Sequence, residues 1–150
     1  MSVRMIPVAG GTLAAETVGA GPDMVFVHGF SLDRRSWQPQ AAHFSSTHRV
    51  TTYDLRGFGQ SSLPEGEYEH GDDLLALMDA LGIEKALLVG LSLGANVAMT
   101  FAARYPQRLD GLVLASPGLP GHPWKTERPP EAAARVAAAP GIAAGKRFWL

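Results

Sequence analysis

Ala86-Leu87-Leu88-Val89-Gly90-Leu91-Ser92-Leu93-Gly94-Ala95-Asn96-Val97-Ala98 is the stretch whose reading decides the fold. Its first four residues are an unbroken apolar run, the pattern of a strand buried on both faces. From Leu93 to Tyr105 the period changes to that of a helix, with Val97, Ala98, Phe101, Ala102 and Tyr105 facing the sheet until Pro106 ends it. Gly90-Leu91-Ser92-Leu93-Gly94 joins the two, so a G-x-S-x-G string occupies a strand–turn–helix junction. Glycines at 90 and 94 let helix and strand approach closely while Ser92 adopts a strained turn that pushes its hydroxyl above the sheet. The first N–H groups of the helix point to the same place, which allows the Leu93 nitrogen to stabilise an oxyanion. The plainer alternative is a glycine-bracketed turn with an inert serine.

Working outward, Met24-Val25-Phe26-Val27, Val50-Thr51-Thr52-Tyr53 and Leu112-Val113-Leu114-Ala115 read as further strands, the first and last apolar on both faces. Val3 to Val8 and Leu13 to Val18 flank Gly10-Gly11, which predicts an antiparallel hairpin at the start of the sheet. Between strands, Leu74, Leu77, Met78 and Leu81 recur at helical spacing behind Glu69, Asp72 and Asp73, with Gly82 as the stop. Asp72 and Asp73 read as a charge pair at the helix N-terminus. Asp33 to Phe44 is expected to hold a shorter helix. Strands alternating with helices give an α/β fold: a mostly parallel sheet of about six strands with helices on both faces. Residues 1–116 form this core. Residues 117–150 differ, with Pro117, Pro120, Pro123, Pro129 and Pro130 leading into the Ala-rich run Glu131 to Ala139, and the chain's last residues read as an interruption.

One domain is what 150 residues allow, and 46% apolar against 18% charged residues is the balance of a folding chain. A net charge of −1 argues against a polyanion partner, so no nucleic acid is expected. With no cysteine there is no disulfide, no thiolate metal cluster and no cysteine nucleophile. No apolar run is long enough for a signal peptide or membrane span, and a cytoplasmic protein without membrane contact is expected.

The order of motifs resembles the α/β-hydrolase family. His28-Gly29-Phe30 ends an apolar strand, like the family's H-G-x turn, and the resemblance makes the Phe30 N–H a second oxyanion donor. Asp54-Leu55-Arg56-Gly57-Phe58-Gly59-Gln60-Ser61 is similar to the family's D-x-R-G-x-G-x-S loop, which is structural rather than catalytic. Each motif sits at a strand's carboxyl edge, where open parallel sheets place their ligand crevice. The likeness runs over roughly residues 3–116, after which the start of a cap is expected. It implies the N-terminal part of a serine hydrolase acting on an ester, lactone or related small carbonyl substrate, with no cofactor and no metal.

In such a family the acid and the histidine follow the serine in chain order, and neither region is found here. A serine without a base is a weak nucleophile. Among the histidines, His28 is expected to be structural, His43 and His48 solvated on the opposite edge, and His70 placed at a helix entry. His122 is the best substitute base. Asp72-Asp73 has no histidine at metal-ligand spacing. Trp37, Trp124 and Trp149 suit either an apolar pocket or plain packing. The rival reading is a truncated, noncatalytic binding module, whose Ala-rich tail and uncovered strand near residues 112–115 invite self-association or a complementing C-terminal segment.

Overall fold

The computed structural model describes residues 2–118. Six strands alternate with helices: β1 Arg4–Val8, β2 Gly11–Val18, β3 Asp23–Val27, α1 Gln38–Phe44, β4 Arg49–Tyr53, α2 His70–Ala80, β5 Ala86–Leu91, α3 Leu93–Arg104 and β6 Leu109–Ala115. They form one sheet in the order β1-β2-β4-β3-β5-β6. The β1–β2 and β2–β4 pairs are antiparallel, whereas β4, β3, β5 and β6 run parallel. The expected hairpin is present, with Val8 opposite Gly11.

Strand alternation divides the core between two faces. Val25 and Val27 of β3 join Tyr53, Leu88 and the helical residues Leu74, Leu77, Met78, Val97, Ala98 and Phe101. Met24 and Phe26 of the same strand point the other way, with Val50, against Trp37, Ala41 and Phe44. Helices therefore cover both faces, as the apolar runs require. Each fully buried Leu, Val or Phe contributes about 1.5–3 kcal/mol relative to exposure. Gly82, at φ 64°, turns the chain out of α2 where the helix was expected to stop.

The structure refines three expectations. The segment from Asp33 to Phe44 is two pieces: a 3-10 turn over Arg34–Trp37, capped by the Asp33 carboxylate on the Arg35 N–H, and then α1. Pro39, in the first turn of α1, has no N–H to give and suits the start of a helix rather than its middle. β6 is not buried on both faces, in keeping with the uncovered strand near residues 112–115 of the rival reading. It is a sheet edge among the described residues, with Leu112 38% and Val113 47% exposed. Asp73 is more than half of an N-terminal charge pair: it is buried and paired with Arg56 at 2.6 Å, while Asp72 pairs with Arg104 at 2.8 Å. The expected cap falls largely beyond residue 118, outside the described residues, as do His122, Trp124 and Trp149.

Candidate active site

β3 has β4 on one side and β5 on the other, so successive connections leave it in opposite directions. Such a switch point opens a crevice at the strands' carboxyl ends. His28-Gly29-Phe30 leaves β3 there, and Ser92 follows β5.

Ser92 stands at φ 51°, ψ −110°, backbone that a serine rarely adopts. Its N–H donates to the Ala115 carbonyl at 2.9 Å and its carbonyl accepts from the Asn96 N–H at 3.0 Å, so the turn is tied to β6 and to the first turn of α3. The residue is exposed, and its hydroxyl bonds to no other described residue. The flanking glycines are required by contact. A Cβ at Gly90 would lie 2.6 Å from the Gly94 carbonyl carbon and 2.7 Å from the Ala95 Cα; one at Gly94 would lie 2.6 Å from the His28 carbonyl oxygen and overlap that of Val27. Helix α3 is thus pressed onto the ends of both β5 and β3.

Gly29, which precedes Phe30, lies against this turn, because a Cβ on it would be 3.4 Å from the Leu91 oxygen. The Gly29 carbonyl accepts the Leu32 N–H at 3.2 Å and meets the His28 Nδ1 at 2.8 Å. The His28 Nε2 accepts the Leu55 N–H at 2.9 Å. A carbonyl only accepts and an amide N–H only donates, so the ring carries its proton on Nδ1. The peptide unit is planar, and fixing the Gly29 carbonyl aims the Phe30 N–H in the opposite direction. Among the described residues neither Phe30 N–H nor Leu93 N–H has a hydrogen-bond acceptor. Phe30 is 67% exposed, and its ring meets the Phe58 ring edge-on at 5.8 Å.

The histidines of residues 2–118 occupy distinct places, His28 and His70 where expected and His48 half-buried rather than solvated. Burial holds His28 below the ordinary imidazole value of 6.5, and both of its nitrogens are engaged. His43 and His48 lie before β4, at the opposite edge of the sheet. His70 opens α2; burial lowers its pKa too, and its Nδ1 is buried without a partner among the described residues. Trp37 packs on Phe26 at 4.9 Å between ring centroids, so it belongs to the core. No group of acidic and histidine side chains among the described residues could hold a metal ion, and no described helix is long and apolar enough to cross a membrane.

The D-x-R-G loop is an internal scaffold. The Asp54 carboxylate accepts from the Arg34 N–H at 2.8 Å, the Arg34 guanidinium at 2.6 Å and the Gln60 N–H at 2.8 Å. Arg56 holds Asp73 with two bonds, at 2.9 and 2.6 Å, and the carbonyls of Gly10 and Ala9 at 2.7 and 2.6 Å. Ser61 donates to the Asp54 carbonyl at 2.6 Å and accepts the Ala14 N–H at 3.0 Å. Sequence reasoning missed Arg34; its only signal is a charged residue just after the H-G-F turn.

A mixed sheet with helices on both faces and a strained serine at the strand–helix turn defines an α/β protein whose crevice lies at the sheet's carboxyl edge. The chain belongs to the α/β-hydrolase fold family, whose model matches residues 22–149. It is 37% identical over 111 residues to 3-oxoadipate enol-lactonase 1 of Acinetobacter baylyi, covering 71% of this chain and 42% of that protein. The crystal structure of a hydrolase from Pseudomonas aeruginosa superposes with a TM-score of 0.76 at 32% identity, over 91% of this chain and 52% of that one. The enol-lactonase of Burkholderia xenovorans does so with a TM-score of 0.73 at 33% identity, over 76% and 46%. The chain spans less than half the length of the curated relatives it matches.

Proposed function

We propose that this chain carries the nucleophile and oxyanion-binding part of a serine hydrolase for esters, lactones or related small carbonyl compounds. The observation that carries the reading is Ser92, exposed at φ 51° on a turn whose close packing excludes any side chain at 90 and 94. Its Oγ would attack the substrate carbonyl carbon, passing its proton to a base. The tetrahedral oxygen would accept from the Leu93 and Phe30 N–H groups, which lack acceptors among the described residues. Collapse would expel the alkoxide, protonated by the same base, and water would release the acyl group by the reverse sequence. His28, engaged at both nitrogens, is not that base, and in the family's chain order the base follows the serine. Two of the relatives named above are enol-lactonases, which favours a cyclic or linear ester as substrate.

The exposed Leu112 and Val113 favour a second reading, in which these residues serve as a binding module for a complementing segment or a second copy. Incubation with a fluorophosphonate probe and a chromogenic short-chain ester, beside a Ser92→Ala control, separates the two. Labelling that disappears in the control supports the nucleophile, with or without turnover. Equal labelling of both proteins, or none in either, would sink it.

A further inference from the structure

We propose that Arg34 is a positioning residue for the oxyanion loop, locking the far end of the H-G-F turn to the exit of β4. The inference rests on the reading of Phe30 as an oxyanion donor. Residues 28–34 form a short bridge whose two ends are held by consecutive residues of one strand exit. At the near end the His28 ring takes the Leu55 N–H. At the far end Asp54 takes both the main-chain N–H and the guanidinium of Arg34. Phe30 lies between these anchors, and Ser31 beside it sits at φ 60°, backbone that relaxes readily to another well if either anchor is released.

The lock is built for geometry rather than for charge at the reaction centre. Both partners are buried. The guanidinium donates to Asp54 at 2.6 Å and to the Gln60 side-chain oxygen at 3.0 Å, while the Glu16 carboxylate, 3.6 Å from its Nε, adds an ion pair but no hydrogen bond, and that Nε has no hydrogen-bond partner among the described residues. An arginine's planar fork can span such a set, whereas a lysine's single ammonium cannot. Asp54 also takes the Gln60 N–H, so the H-G-F turn and the loop after β4 share one carboxylate. A shift at residue 34 is therefore carried to the Phe30 amide, where a misplacement of about 1 Å lowers a rate by as much as about a hundredfold.

The test uses the 15N-labelled full chain with Arg34→Lys, Arg34→Met and the milder Gln60→Ala. Amide relaxation is read at Phe30, Leu93 and β1–β2, and hydrogen exchange at β1–β2, together with the rate of fluorophosphonate labelling of Ser92. The lock predicts that Phe30 loses order in both Arg34 variants while Leu93 and β1–β2 keep theirs, and that labelling slows about ten- to a hundredfold. Gln60→Ala should fall between them and the unaltered chain, and it decides the matter with Arg34→Lys if Arg34→Met does not fold. An unchanged Phe30 amide, or equal loss at Phe30, Leu93 and β1–β2, overturns the lock. Absence of labelling in the unaltered chain overturns the nucleophile reading instead, and leaves the amide measurement to decide the lock.

Discussion

The turn at Ser92 and the loop after β4 face the same crevice but are held in opposite ways. At the turn, shape depends on atoms that are absent: Gly90 and Gly94 let α3 sit against the ends of β5 and β3 where any Cβ would collide. In the loop, shape depends on charges that are present and buried, with Asp54 and Arg56 each held by several partners and Asp73 by two bonds from Arg56. Close-packed backbone has no slack, whereas a buried ion pair can be exchanged for apolar groups if both members leave together. The turn should therefore fail abruptly and the loop by degrees.

The largest expected effect breaks the turn. Gly94→Val places side-chain atoms on the carbonyls of Val27 and His28, and we expect a loss of more than about 4 kcal/mol, read as failure of the cooperative urea transition. Next, Arg56→Met leaves Asp73 buried without its partner and should lower stability by about 3–5 kcal/mol. The double variant Arg56→Met/Asp73→Leu should recover much of that, measured as urea midpoints; no recovery would mean that the Gly10 and Ala9 carbonyls dominate.

Acid should distinguish the regions by a smaller effect. Burial keeps His28 and His70 below 6.5 in the folded chain, so in the acid range the unfolded chain binds more protons. Their neutral forms contribute full stability above about pH 6.5, and that stability is lost as pH falls through the lowered values. Hydrogen exchange should show the Leu55 amide losing protection before that of Asn96, which has no histidine partner. The smallest effect sharpens the contrast from the other side. Ser92→Gly removes the strain of a non-glycine residue at φ 51° and should raise the thermal midpoint, by about 1 kcal/mol of stability, while abolishing labelling. An unchanged or lower midpoint would mean that the turn stores no strain at Ser92.

Much of this was legible in the chain. The strand runs, the hairpin at Gly10-Gly11, the helices opening near Asp72 and Leu93, and the serine junction all rest on local periodicity and turn chemistry. The refinements share one cause. Asp33 to Phe44 has too weak a period to show where a 3-10 turn gives way to a helix. Asp73 carries the ordinary signature of a helix N-terminus and shows nothing of Arg56, seventeen residues earlier. β6 reads as buried because apolar runs report what a strand can bury, not which neighbours cover it.

By itself the order of residues determined the strand–helix alternation and the glycine-bracketed turn, because backbone geometry and apolar spacing act over a few neighbours. Only the tertiary structure decided that Asp54 would hold Arg34, that His28 would carry its proton on Nδ1, and that Gly29 would approach the Leu91 carbonyl before the serine turn. Those outcomes depend on groups brought together by sheet pairing across twenty residues or more, and no local pattern encodes a distance.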